Sequence, residues 1–458
     1  MKRVTFVTFI EVIFLLILFL PRPVCGDTHT VGPNDCSAAA VNVAISAASD
    51  GDIVELTCTG TVNWTSIVTI PNTKGITLKV PGASNNWRTG SNNFPLTICS
   101  NNDPIIYVNC ENSKSVARVT GFKFRNTISS TKGAVYIRGR GTGIAGKGAF
   151  RIDNNYFDTI RLPHANEEGT ITVEARTGPL YGLIDNNTLY DCSYTDGYAI
   201  ALSESWRPDT GRCWGENSWI RSFSFGTADF VFIEDNLIQN QNEYTRHYIE
   251  ASSGARYVVR YNRFITNKAK NNGNQTEQVE AHGYCIAYST GVGSRGGEIY
   301  NNESQGTQVG VPINIRGGHW LIYDNTFTNK GWRDTPICLR EYRTWSGSCD
   351  QCSSDNGSCP DPWYKCVTDG SKYPLQEQIQ NTYVWGNTIN AIPTTASVPN
   401  HGVQRLYLQD RRDYWNVSSL ADAKAHGLSA SYTPFTYPHP LRASDSGPAA
   451  SKDLRITP

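Results

Sequence analysis

The chain of 458 residues predicts an all-β fold: a single-stranded parallel β-helix, a solenoid of about ten coils capped at its N-terminal end by a short helix. Three observations predict it. An Asn recurs behind one short β-rich run after another, the composition holds 40 Gly and 38 Asn, and no heptad or membrane-span pattern follows residue 26. Gly and Asn supply turns, so the chain turns often and carries little helix. With 39% hydrophobic residues and 11% aromatics it is too apolar for disorder.

The first element is a leader. Lys2 and Arg3 precede an apolar stretch broken by Glu11, then Pro21, Pro23 and the small-residue exit at Gly26, which reads as a secretory signal peptide over 1–26. Its removal leaves 38 basic and 40 acidic residues, a net charge of −2. A near-neutral chain with no basic tract lacks the footprint of nucleic-acid binding, and no membrane attachment is expected after cleavage. Twelve cysteines remain, an even number in an exported chain, and disulfides are expected among them. Four of these, Cys349, Cys352, Cys359 and Cys366, lie within a loop insertion at 344–372, where disulfides are favoured over a zinc site.

Next, Cys36 to Ala48 has helical apolar spacing at Ala40, Val43, Ala44 and Ala47, suited to capping the open end of a solenoid. The solenoid spans 27–431. Its signature is the set Asn126, Asn155, Asn187, Asn236, Asn262, Asn302, Asn325 and Asn387. The intervals run from 23 to 62 residues. The shortest fit one coil; the longer ones fit a coil with a loop, or two coils of which one lacks the motif. Asn tolerates a left-handed backbone and can bond to an equivalent Asn one layer away, so stacked corners would form a ladder. Residues 432–458 hold five prolines and no periodicity, reading as a strap or tail.

Aligning the strand upstream of each corner gives an outward polar column: Arg138, Glu174, Ser203, Ser224, Glu250, Glu280, Arg316, Arg340 and Gln409. Two residues further, a second column holds Arg140, Arg176, Ser205, Gly226, Ser252, His282, Gly318 and Tyr342. Like-charged Glu250 and Glu280 on adjacent coils need a cation or proton between them. His247 borders this face, Arg295 lies at its rim, and Gly226 and Gly318 would leave room for a ligand.

The helix followed by Ser49-Asp-Gly-Asp52, together with the Asn corners, resembles the pectate-lyase-like right-handed parallel β-helix superfamily. Gly226-Thr-Ala-Asp229, Glu280-Ala-His-Gly283 and Arg316-Gly-Gly318 look like segments of secreted bacterial β-helix repeat proteins. The resemblance implies a right-handed solenoid and, for activity, a lyase that cleaves an acidic polysaccharide such as pectate or alginate by β-elimination. It would assign calcium to Glu250 and Glu280, the chemistry to His282, Arg316 and Arg340, and substrate binding to Arg138, Glu174, Arg176, His247, Arg295 and Tyr342. The Trp-Ile-Asp-His and Arg-x-Pro-x-x-Arg segments of main-family pectate lyases are missing, as are the paired-Asp and Arg-Ile-Lys segments of polygalacturonase-like hydrolases. Two alternatives therefore stand. One is a non-catalytic adhesin, polysaccharide-binding or fibre-forming protein, a monomer able to assemble end to end, with sequons at Asn63-Trp-Thr65 and Asn416-Val-Ser418. The other is a glycoside hydrolase using Glu250 and Glu280 as its carboxylate pair.

Overall fold

The structure is a computed structural model that describes residues 26–444 apart from 112–114, 127–132, 142–147, 161–168, 193–196, 204–220, 243, 269–275, 283–292, 308, 330–334, 341–378 and 399–407. The leader, the cysteine-rich insertion, Tyr342 and Ser205 lie outside the described residues.

Three sheets build the chain into a parallel β-helix, with 12, 11 and 10 strands in sheets A, B and C. Each strand pairs in parallel with the equivalent strand one coil away; the exceptions are Ile392–Pro393 at the end of sheet B and a separate hairpin, Ser84–Asn86 with Ser91–Asn93. Inward residues stack by type. In sheet C, Val135, Ile171, Ile200, Ile249, Val279, Ile313 and Ile337 form one register column, all at 3% exposure or less. Burying each such side chain contributes about 1.5–3 kcal/mol, and β-branched residues suit the pleat.

The asparagine ladder is present, with two corrections. Asn155, Asn187, Asn236, Asn262, Asn302 and Asn325 each donate an Nδ2 hydrogen bond to the Oδ1 of the next rung at 2.9–3.1 Å, the last of them to Asn387. Their backbone N–H groups donate to the same oxygens. Asn126 is not a rung: it pairs with Ser100 inside a sheet B strand, and Phe122 takes the rung position opposite Asn155. Nor is the ladder Asn the left-handed residue. That conformation falls on the residue before it, at Asn154, Asn186, Asp235, Tyr261, Asn301 and Asp324, with φ of 51–57°, and at Gly386. The turn and the ladder thus divide between two positions, and the rung itself is fully buried. Every interval is one coil: Thr188 pairs directly with Leu237 and Thr326 with Thr388, so the 49- and 62-residue spacings are single coils with insertions.

The N-terminal helix, α1, covers Ala38–Ala47, with Ser37 as its N-cap, and buries Ala38, Val41 and Ile45 against the first coil. Cys36 and Cys58 form a disulfide beside it. Against the expectation of general pairing, Cys99, Cys110 and Cys192 are thiols, the last two buried in the solenoid, where burial pushes both up to about 12. Near the other end lies a short helix, α2, Leu420–Ala425. Residues 428–444 then run back across the outer face of sheet A. Leu428, Tyr432 and Leu441 pack there with Leu183, Phe232, Val258 and Tyr300 as a second apolar cluster outside the coil. Among the described residues, no helix is long and apolar enough to cross a membrane.

Candidate active site

Sheet C carries the site on its outer face. Two strands build most of it, His247–Ser252 and Glu277–Ala281, adjacent and in register with His247 opposite Glu277 and Glu250 opposite Glu280. In each strand the two residues between these positions turn inward. Tyr248 and Ile249 join the core, while Val279 does likewise and Gln278 bonds to Thr266 and Ser304 of sheet B. The outer side chains at i and i+3 are thereby brought together.

The register corrects the sequence alignment by one pleat. Glu250 and Glu280 share a column with Tyr136, Thr172, Ala201, Asn314 and Cys338. Arg138, Glu174 and Ser203 share the next outward column with Ser252. His282, Arg316 and Arg340 continue that column, since their N–H groups bond Ala251, Ala281 and Ile315 of the preceding coil. Ser224 and Gln409 belong to neither: the strand ending at Ser203 pairs directly with that of His247, and Ala396–Ser397 follows Cys338. The slip had an effect on chemistry. His282 and Arg316, expected in separate columns, are direct neighbours, and Arg316 Nη2 lies 3.0 Å from His282 Nδ1.

Glu250 is the hub, its two oxygens engaging His247 Nδ1 and His282 Nδ1. Arg316 pairs with Glu280 Oε1, and Asn314 Nδ2 donates to Glu280 Oε2 at 2.7 Å and Glu277 Oε2 at 3.1 Å. His247 Nε2 is 3.3 Å from Glu277 Oε2, and Arg340 Nη1 is 3.9 Å from Glu277 Oε1. Although it faces outward, the cluster is buried: His247, Glu250, Glu280 and Arg316 are at most 8% exposed, against 15% for the His282 side chain and 26% for that of Arg340. Solvated surface ion pairs would be exposed, and this part of the charged column is not.

The electrostatics follow from burial and partners. Burial acts to raise Glu250, but His282 and His247 outweigh it and hold the carboxyl well below the usual range. Burial pushes Glu280 well up despite Arg316, with the Glu277 charge adding to it, while Glu277 falls to about 2. Burial and then the Arg316 charge push His282 down to about 4, leaving a neutral imidazole near neutral pH.

For calcium the fit at Glu250 and Glu280 is poor. Calcium takes six to eight oxygens, whereas Glu250 spends both oxygens on imidazoles, and the cation beside Glu280 is the Arg316 guanidinium.

The other expected residues separate into two groups. Arg138, Glu174 and Arg176 lie on the same face several coils toward the N-terminus, where Arg176 Nε donates to Glu174 at 2.6 Å and Tyr136 also bonds it. The Arg295 guanidinium packs on Phe223, 4.8 Å from the ring centre. The two glycines do not open the face. Gly226 lies against Thr433 of the strap and donates its N–H to Glu298, and a Cβ on Gly318 would meet the Ser294 and Arg295 carbonyls. Glu277, Asn314 and Tyr136 were not expected. The repeated His-x-x-Glu and Glu-x-x-Glu spacing in register is the signal that points to Glu277.

No family model and no curated protein matches the chain. Among solved structures, it is similar to the crystal structure of alginate lyase from Paenibacillus sp. str. FPU-7, with a TM-score of 0.46 and 11% sequence identity, covering 81% of this chain and 99% of that one.

Proposed function

We propose that the protein is an extracellular lyase that cleaves a uronate-containing acidic polysaccharide, such as pectate or alginate, by β-elimination. One observation carries this reading: an imidazole pinned through Nδ1 by a buried carboxylate, with a guanidinium beside it, on the outer face of the solenoid. Glu250 fixes the ring and leaves His282 Nε2 as the basic nitrogen. Arg340, the more exposed guanidinium, binds the sugar carboxylate, and buried Arg316 adds positive potential. Neutralising that carboxylate acidifies the adjacent C–H. His282 takes the proton, the electron pair forms the C4–C5 double bond, the C4–O bond breaks, and the departing oxygen takes a proton from solvent. Arg138 and Arg176 hold a more distant part of the anionic chain.

The hydrolase alternative needs a free carboxylic acid and a free nucleophilic carboxylate, and Glu250 and Glu280 are each engaged on both oxygens. The test is incubation with pectate, alginate and glycosaminoglycans while following absorbance of the unsaturated uronate product. Rising absorbance that His282→Gln abolishes supports the proposal. Flat traces across the panel overturn it and favour a binding protein.

A further inference from the structure

Two groups of side chains in the cluster have metal-ligand spacing, with one ligand atom from each residue lying within 4.8 Å of the others: His247 with Glu277 and Glu280, and Glu250 with Glu280 and His282. They are not equivalent. In the second group Arg316 already touches both Glu280 and His282, and a guanidinium in contact with two of three ligands repels a dication. In the first group Arg316 touches Glu280 alone, through Oε1, while Asn314 holds the oxygens of Glu277 and Glu280 that face each other, and Arg340 approaches Glu277 through the oxygen turned away from His247, at 3.9 Å.

We propose that His247, Glu277, Glu280 and Asn314 bind one transition-metal dication, zinc or manganese. Three features support this beyond the carboxylates themselves. His247 gives its Nδ1 to Glu250, which leaves Nε2 facing Glu277. A carboxylate that holds the far nitrogen of an imidazole is the usual outer support of a histidine metal ligand. Asn314 is 2% exposed and aimed at both carboxylates, and its Oδ1 has no hydrogen-bond partner. Amide oxygen and nitrogen interchange by a 180° rotation. Turned that way, Oδ1 would face two carboxylate oxygens, which is repulsive without a cation and makes a fourth ligand with one. The charges agree: three carboxylates, Glu250, Glu277 and Glu280, face two guanidiniums, Arg316 and Arg340, so the balance is closed by a proton or by a bound cation before either imidazole is counted.

An imidazole nitrogen with three oxygens selects zinc or manganese over calcium, which prefers an all-oxygen shell of higher number. Glu277, with a side chain 20% exposed, is the edge through which the ion exchanges with solvent.

The inference rests on ligand geometry and not on the polysaccharide reading, and its readout needs no substrate. The whole mature protein, purified without chelator, is assayed for metal by mass spectrometry, then stripped and titrated calorimetrically with Zn²⁺, Mn²⁺ and Ca²⁺. Expected is about one zinc or manganese per chain, with affinity reduced roughly 10–100-fold in Glu277→Gln and reduced also in Asn314→Ala, each confirmed folded by circular dichroism. Asn314→Ala serves as the arbiter should Glu277→Gln fail to fold. Absence of stoichiometric metal together with no heat from either ion at millimolar concentration overturns the site. So does calcium binding as tightly as zinc and manganese, or binding unchanged in the folded variants.

Discussion

Sheets A and C meet along one corner of the same solenoid, and both place charged side chains on their outer faces by the same alternation. On sheet A the charges are matched and covered. Arg118 pairs with Asp153, Arg151 with Asp185, Arg260 with Glu234, and both Arg442 and Arg88 with Asp235, while the buried Glu298 accepts from the Tyr432 hydroxyl and the Gly226 N–H. The strap then closes over them, accepting hydrogen bonds from Arg260 at the Phe435 and Thr436 carbonyls and from Arg151 at that of Leu441. In the cluster around Glu250 on sheet C, three carboxylates face two guanidiniums, two imidazoles share one carboxylate, and the Asn314 oxygen has no partner. A face whose polar groups satisfy one another is structural. A cluster whose carboxylates outnumber its guanidiniums and whose buried amide oxygen is left over is arranged for something that binds.

The largest effect tests the structural half. Arg260 is fully buried between Glu234, the Tyr300 hydroxyl and two strap carbonyls. Arg260→Ala strands Glu234 and frees the strap, costing about 3–5 kcal/mol in chemical denaturation. The folded fraction should keep its polysaccharide activity. Loss of activity in correctly folded Arg260→Ala would break the division between the faces.

His282→Gln tests the other half. It removes the base while keeping an amide of similar size at the rim of the cluster, so activity should fall about 100-fold or more with a melting temperature close to that of the parent. A large drop in melting temperature would move His282 to the structural side.

The corner between the faces responds to pH. Burial, and then the Arg295 charge, push His319 down to about 3, so the folded state holds it neutral while the unfolded chain protonates it below its ordinary 6.5. Its contribution is fully present above that value and is lost as pH falls from 6.5 toward 3. At pH 5, His319→Gln should therefore retain about 1–2 kcal/mol more of its neutral-pH stability than the parent does, measured by urea unfolding at both pH values. Equal losses would show that His319 is not a source of acid sensitivity.

The same contrast explains what the sequence disclosed. Asn155 through Asn387 were legible because a fully buried amide that bonds its counterpart on each coil tolerates no other side chain, and that constraint repeats. Asn126 broke the pattern because a local Phe-Arg-Asn run cannot distinguish a rung from a strand end; only pairing with Ser100 does. On the site face the residues were found and their order was not. Aligning strands by their last polar residue placed Glu280 in the column of Arg316, whereas two inward residues between Glu277 and Glu280 shift the pleat. Glu277 escaped because Gln278 reads as an outward polar residue, although it points inward to Thr266 and Ser304. The strap's partners were also out of reach, since Arg442 meets Asp235 across 207 residues with no repeat to announce it.

The smallest effect separates the faces most finely, because it uses the same kind of pair on each. Arg88 bonds Asp235 at 3.1 Å on the strap side, and Arg176 bonds Glu174 at 2.6 Å on the site side, each with about half of its side chain in solvent. Half-exposed pairs of this kind contribute about 0–1 kcal/mol, so neither Arg88→Ala nor Arg176→Ala should move the melting temperature much. Binding to an anionic polysaccharide is where they should differ. Arg176→Ala removes a cation from the face that would carry the chain and should weaken binding several-fold while flattening its salt dependence. Arg88→Ala leaves that face intact and should change neither quantity. Equal effects of both variants would mean that the polymer follows the overall charge of the molecule and that sheet C holds no dedicated track for it.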